Sequence, residues 1–238
     1  MKKVAILQSN YIPWKGYFDM INMVDEFVLY DCVQYTKNDW RNRNLIKTPN
    51  GVQWLTIPCR FESMSQKINE TKVSDKLWAS KHFKTISQNY SKAKHFKEYK
   101  DLFENLYKEV ADEELLSAIN YKFLVAINEI LGIKTKISKC EDFNLTEGQT
   151  LRLVQICKDA GATHYLSGPS AKNYLDESLF EEAGIKVEWM GYSGYGEYEQ
   201  LYPPFVHGVS IIDLIFNEGS NATKYMNSFN PNFAIEIC

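Results

Sequence analysis

Two arginines one residue apart, Arg41 and Arg43, sit in a stretch over residues 31–49 that is dense in groups able to hold a ligand. In an extended chain alternate side chains share a face, so both guanidinium forks would point the same way and clamp a phosphate or carboxylate. Lys47 adds a compact positive charge, and Asn38, Asn42 and Asn44 both donate and accept. Tyr35 and Trp40 supply flat faces for a base or sugar. Asp31 closes the apolar run Phe27-Val28-Leu29-Tyr30 and is the candidate general base. Burial raises a carboxyl pKa and nearby arginines lower it; the expectation is that Arg41 and Arg43 win and leave Asp31 ionised at neutral pH. The alternative for Asp31 is that it only orients those arginines. The alternative for the whole stretch is a wide hairpin tip with incidental charges.

Two further loops carry chemistry. The first is Ser9-Asn10-Tyr11-Ile12-Pro13-Trp14-Lys15-Gly16, preceded by Gln8. It joins a strand to a helix, where free backbone N–H groups bind anions. Gln8, Asn10, Tyr11 and Trp14 are its candidate contacts, or else Pro13 and Trp14 only wall the core. No P-loop pattern is present. The second runs from Ser167 to Asp176 and offers Ser167, Gly168, Ser170, Lys172 and Tyr174. Lys172 would meet a phosphate, and Gly168 would let a ligand approach the backbone. The other reading is a solvated loop with a capping serine. Of the histidines, His207 is the one placed to reach a pocket and is the second catalytic candidate, whereas 82, 95 and 164 read as structural or surface. Cys32, at a strand end, reads as a small buried residue rather than a nucleophile paired with a histidine. No spacing suggests a metal site, and no cofactor is assigned.

The elements that must position these loops follow from hydrophobic period. Residues 3–8, 27–30, 52–58, 135–138, 163–167 and 185–190 are short, β-branched or aromatic runs and read as strands. Helical stripes cover 17–24, 77–93, 96–110, 114–131, 151–160, 178–183 and 210–216, with Gly132, Gly161 and Gly184 at helix ends. Residues 60–74 read as a connection, and the tail from Gly219 is polar until Phe233. Strand–helix alternation on this scale predicts an α/β fold with a mostly parallel sheet, doubly wound or similar. The expected organisation is one domain over 1–238 with 77–131 a helical insertion between the two sheet-forming parts. In such sheets ligands sit at strand carboxyl ends, so Tyr11, Trp14, Arg41, Ser167 and Lys172 are expected to line one pocket.

The 238 residues carry a net charge of −3, which leaves no footprint for nucleic acid. Aromatic residues make up 14%, including 15 tyrosines, a composition suited to pockets because the ring packs while the hydroxyl stays bonded. No run approaches a membrane span, and the start lacks the long apolar stretch of a signal peptide. The five cysteines (32, 59, 140, 157, 238) are scattered with no Cys-x-x-Cys pair, so a reducing, cytoplasmic setting is expected.

Several segments together resemble a known family. Gln8-x-x-Tyr11-x-Pro13-Trp14-x-Gly16-Tyr17-Phe18, Tyr35-x-x-x-x-Trp40-Arg41-Asn42-Arg43-Asn44 and Trp54-Leu55-Thr56-x-Pro58 are similar to the WbqC-like family of bacterial proteins. Tyr165-Leu166-Ser167-Gly168, Tyr174-Leu175-Asp176 and Ser210-Ile211-Ile212-Asp213-Leu214-Ile215-Phe216-Asn217 extend the resemblance over nearly the whole chain. Ser9 departs from it, since members often have Pro there. The resemblance implies a place in O-antigen and other surface-polysaccharide assembly. The implied reaction is acyl or aminoacyl (glycyl-type) transfer to a nucleotide-linked amino-sugar. It assigns no catalytic residues. The partners expected are thus a nucleotide-sugar or other phosphorylated small molecule and an acyl or aminoacyl donor. A noncatalytic glycan- or partner-binding module of the same pathway is the alternative. The entry through β-strand, loop and helix is also similar to nucleotidylyltransferase-like folds, but Trp14 and Tyr17 stand where those carry two histidines, so the analogy concerns fold and not adenylation.

Overall fold

A computed structural model describes residues 1–231. Phe233 and Cys238 lie outside the described residues. The strands are β1 (Lys3–Leu7), β2 (Glu26–Leu29), β3 (Arg43–Thr48), β4 (Gly51–Thr56), β5 (Lys136–Lys139), β6 (His164–Ser167) and β7 (Lys186–Trp189). The helices are α1 (Lys15–Asn22), α2 (Trp78–Tyr90), α3 (Phe96–Glu109), α4 (Leu116–Leu131), α5 (Gln149–Asp159), α6 (Glu177–Glu182) and α7 (Ile211–Glu218). Every expected strand and helix is present, most with bounds moved by one or two residues.

Five strands form one sheet in the order β5-β2-β1-β6-β7, and every pairing is parallel. Alternation within the strands divides the core. Ala5, Phe27, Leu29 and Leu166 join the cluster on one face with residues of α1–α4 and α7. Val4, Ile6, Val28 and Tyr165 join the other with residues of α5 and α6. A parallel strand buried on both faces must be nearly continuous in apolar residues, as Val4-Ala5-Ile6 and Phe27-Val28-Leu29 are. The chain winds outward from β1 through β2 to β5, then returns to add β6 and β7 on the other side of β1. The carboxyl ends of β1 and β6 therefore flank the topological switch point, where doubly wound sheets open a crevice.

One expectation is corrected. The stretch 31–49 is not all loop, because its second half is β3, paired antiparallel with β4 from Arg43 opposite Thr56 to Thr48 opposite Gly51. Pro49-Asn50 makes the turn, and Gly51 takes the φ of +105° that follows it. Ile46 and Leu55 face the core with α2 beneath, while Val52 and Trp54 face solvent. The charged and amide residues masked the alternation that would have marked β3 as a strand.

Candidate functional site

A cleft of about 710 Å³ opens at the switch point. Leu7 and Gln8 line it from the end of β1, and Ser167 and Gly168 from the end of β6. Tyr30 and Gln34 enter from the end of β2, Gly148, Gln149 and Arg152 from the start of α5, and Tyr192 from the loop after β7. The Tyr17 hydroxyl donates to the Gln8 carbonyl at 2.8 Å and fixes where β1 ends.

The floor of the cleft suits an anion. Gly148 precedes α5 with a φ of +92° and no side-chain cap, so amides of the first turn lack intrahelical acceptors. The helix dipole adds positive potential at the same end. Arg152 lies one turn further along α5, with its Nε donating to the Thr146 carbonyl at 2.8 Å. Burial pushes the Tyr30 phenol up, and the Arg152 guanidinium bonded to it partly offsets that. A Cβ added at Gly168 would meet no heavy atom within 4 Å, so a ligand has room against this backbone. Tyr174, half exposed, stands at the rim of the cleft.

A second, smaller pocket of about 340 Å³ is lined by Asn10, Pro13, Trp14, Trp40, Asn44, His207 and Gly208. It shares no lining residue with the cleft. The two lie close along the chain, because Gln8 faces one and Asn10 the other. Tyr192 of the cleft packs on Trp14 of the pocket with ring centroids 5.3 Å apart.

The sequence-derived residues thus fall into three groups. Gln8, Ser167, Gly168, Ser170 and Tyr174 line the cleft. Asn10, Trp14, Trp40, Asn44 and His207 line the second pocket. The remainder line neither. Arg41 pairs with Asp39 at 2.9 Å, while the Arg43 guanidinium lies 4.1 Å over the Trp54 ring, so the expected clamp is not assembled. Lys172 lies over the Trp189 ring at 5.4 Å. Tyr11 is fully buried and bonds His82 Nδ1 at 2.9 Å and the Tyr107 hydroxyl at 2.5 Å. Lys47 is fully buried with its ammonium donating to the Pro204 carbonyl, and Tyr35 is buried too. Asn42 donates to the Ile57 carbonyl at 2.9 Å, and Asn44 to the carbonyls of Tyr11 and Ile12 at 3.0 Å. These asparagines hold backbone. Ile12 needs that hold, since its φ of 35° is strained for a β-branched residue. The expected single pocket of Tyr11, Trp14, Arg41, Ser167 and Lys172 is therefore divided, because the loop after β1 turns Tyr11 inward to the helices rather than out to the cleft.

Asp31 also differs from expectation. Its carboxylate is buried and accepts from the Ser9 amide at 2.8 Å, facing a separate cavity of about 180 Å³ beside Asn69 and Glu141. Burial pushes its pKa up to about 6, outweighing the bonds from Ser9 and the more distant Arg41, and Glu141 pushes the same way. The arginines do not win because Arg41 is committed to Asp39. Elsewhere, burial lowers His82 to about 4, and His207 is exposed beside Phe205. Cys32 is buried with its amide donating to Cys140 Sγ at 3.1 Å.

Arg152, Gln149, Tyr30, Gln34 and Tyr192 are site residues that the sequence did not single out. The one local signal was Gly148 just ahead of a helix that returns to the sheet.

An all-parallel five-stranded sheet in doubly wound order, open at its switch point, defines an α/β protein of that architecture. The WbqC-like protein family matches residues 8–225, and the chain belongs to that family. It is 49% identical over 227 residues to the uncharacterized protein Rv1507c of Mycobacterium tuberculosis, covering 95% of this chain and 98% of that one. No solved structure matches the chain. Among the described residues no helix is long and apolar enough to cross a membrane, and no His, Cys, Asp and Glu cluster is composed to hold a metal.

Proposed function

We propose that the cleft binds a nucleotide-linked amino-sugar and that the protein transfers an acyl or aminoacyl group to it in bacterial surface-glycan assembly. The observation that carries the binding half is the meeting of two cationic features at the strand ends. The uncapped start of α5 and the Arg152 guanidinium converge on one face of the cleft. Phosphate oxygens would accept from the α5 amides and from Arg152. Ser167 and Ser170 would bond further oxygens, and Gly168 gives the backbone close approach. Tyr30, Tyr174 and Tyr192 would border the ring portions. The transfer half rests on family membership. Asp31 would serve it as a positioning residue, since it anchors the Ser9 amide next to Gln8. The four described cysteines are free, which suits a reducing compartment such as the cytoplasm.

The test is a thermal-shift and calorimetric screen of UDP-, dTDP- and GDP-linked sugars against parent and Arg152→Ala protein. A ligand that binds only the native state raises the melting point. A shift in the parent that is lost in Arg152→Ala is the expected result. No shift with any nucleotide-sugar, or one indifferent to Arg152, removes this reading. One observation favours a second reading, a binding module without catalysis. Among the described residues lining the cleft there is no carboxylate, imidazole or thiol. Binding without turnover for any acyl or aminoacyl donor would select it.

A further inference from the structure

The second pocket has the composition of a ligand site in its own right. Its volume of about 340 Å³ lies within the range, roughly 300–1,000 Å³, of small-molecule pockets. Two indoles line it, and both are held. Trp14 lies flat over Gly16, where an added Cβ would come within 2.4 Å of the ring, and packs against Tyr192 and Tyr195. Trp40 leans on Trp54 with centroids 5.3 Å apart, and Trp54 in turn carries the Arg43 guanidinium at 4.1 Å. Trp40 is nonetheless 42% exposed, a large apolar face presented to solvent at the pocket mouth.

The polar groups are few and poised. Asn10 Oδ1 is buried with no hydrogen-bond partner, an acceptor awaiting a donor. Leaving such an acceptor unmet costs free energy that a ligand hydroxyl or amide N–H would recover. Asn44 is already committed to the carbonyls of Tyr11 and Ile12, so it fixes the wall rather than the ligand. His207 stands exposed at the rim with an imidazole able to donate or accept.

We propose that this pocket is a second ligand site, built to hold one pyranose ring of an uncharged saccharide against Trp40, with a ring hydroxyl or amide donating to Asn10 Oδ1. The chemistry selects that class. No charged carboxylate, lysine or arginine lines the pocket, which disfavours phosphates and free acids. A purely apolar ligand would leave Asn10 Oδ1 unmet. A nucleobase is best held between parallel faces, whereas Trp40 and Trp54 are tilted by 47° and offer one open shelf. A pyranose has a C–H face for that shelf and hydroxyl donors around its edge. Because Trp14 and Tyr192 form the wall between pocket and cleft, a saccharide here would lie one aromatic pair away from whatever the cleft holds. The site stands independently of the reading of the cleft.

The test uses ligands without phosphate. Methyl glycosides of glucose, galactose, mannose and N-acetylglucosamine are titrated by saturation-transfer NMR and tryptophan fluorescence, with adenosine as the competing chemistry. The expected result is saturable binding of at least one glycoside, roughly tenfold weaker in Trp40→Ala and in Asn10→Ala. Arg152→Ala should leave it unchanged, which separates this site from the cleft. Trp40 is half exposed, and circular dichroism checks that each variant folds; His207→Ala, at the exposed rim, gives a further variant with weakened binding expected. Absence of saturable glycoside binding overturns the proposal. So does binding that survives both Trp40→Ala and Asn10→Ala, or Trp40-dependent binding of adenosine alone.

Discussion

Arg152 and Asp31 mark what single residues decide in this protein. Arg152 offers a planar fork to the cleft, while its Nε is spent on the Thr146 carbonyl. Substitution by Lys keeps the charge and loses the fork. Arg152→Lys is expected to weaken binding of a phosphorylated ligand by about 1–1.5 kcal/mol, one hydrogen bond's worth, with the melting temperature nearly unchanged. Calorimetry beside a thermal melt separates the two effects. Asp31 makes a prediction about pH. Its folded pKa of about 6 lies above the ordinary carboxyl value of 3.8, so the folded state prefers it protonated. Its contribution to stability is full below the unfolded value and is lost as pH rises through the folded one. The loss over that window is up to about 3 kcal/mol. Asp31→Asn lacks it, so the stability of the variant relative to the parent should rise between about pH 4 and pH 7. Urea melts across that range would show a constant gap if Asp31 does not titrate there.

At the scale of elements, Glu26 ties β2 to the edge strand β5 and to the residue just ahead of β1. From the start of β2 it bonds the ammonium groups of Lys136 and Lys2, each at 2.8 Å, and accepts from Ser138 on β5. Burial alone would raise its pKa, but the bonds from Lys136, Lys2 and Ser138 outweigh that and hold it at about 2. The sign is opposite to that of Asp31. The stabilisation is present above the unfolded value of 4.5 and disappears as pH falls toward 2. Glu26→Gln should therefore be less stable than the parent at neutral pH, with the difference closing on acidification. Denaturant midpoints at neutral and acid pH test this, and a difference that persists in acid would mean the ion pairs do not carry it. The β3–β4 hairpin works at the same scale. It turns Asn44 inward to hold the strained Ile12 backbone and Trp54 outward to support Trp40, so one element shapes the second pocket from both faces.

For the whole molecule, the helical segment α2–α4 is joined to the sheet by shared aromatic packing. Tyr11 from the loop after β1 sits among Trp78, Phe123 and His82. Phe216 of α7 packs on Tyr90, Phe96 and Phe103. We propose on this basis that the chain is one domain with residues 77–131 inserted. Unfolding in urea should follow one transition, coincident by circular dichroism and by tryptophan fluorescence. A chain with 77–131 excised should show no cooperative transition, because the partners of Tyr11 and Phe216 leave with it. A stable, cooperative excised chain would make the segment a separate domain.

The sequence by itself determined the helices and every strand but β3, the α/β class and the family. Apolar period is local, and Val4-Ala5-Ile6 or the stripes of α2–α4 carry it whatever lies beside them. Gly132, Gly161 and Gly184 end their helices with φ between +68° and +72°, and Gly makes that conformation cheap. The motifs around Gln8, Trp40 and Ser167 were enough to identify the family because residue identity, unlike geometry, is read directly. Only the tertiary structure decided what the polar residues do. Lys47, Asn42 and Asn44 have the types a ligand would need, yet each is buried against a backbone carbonyl, and the partner of a polar group is set by whatever the fold packs against it. Arg152 is the converse, an ordinary helical arginine until the crossover from β5 to β6 lays the start of α5 at the switch point. The division of one expected site into a cleft and a pocket has the same cause. Strand neighbours are chosen by pairings far apart in sequence, β1 with β6 among them, and no local pattern states which loops those pairings bring together.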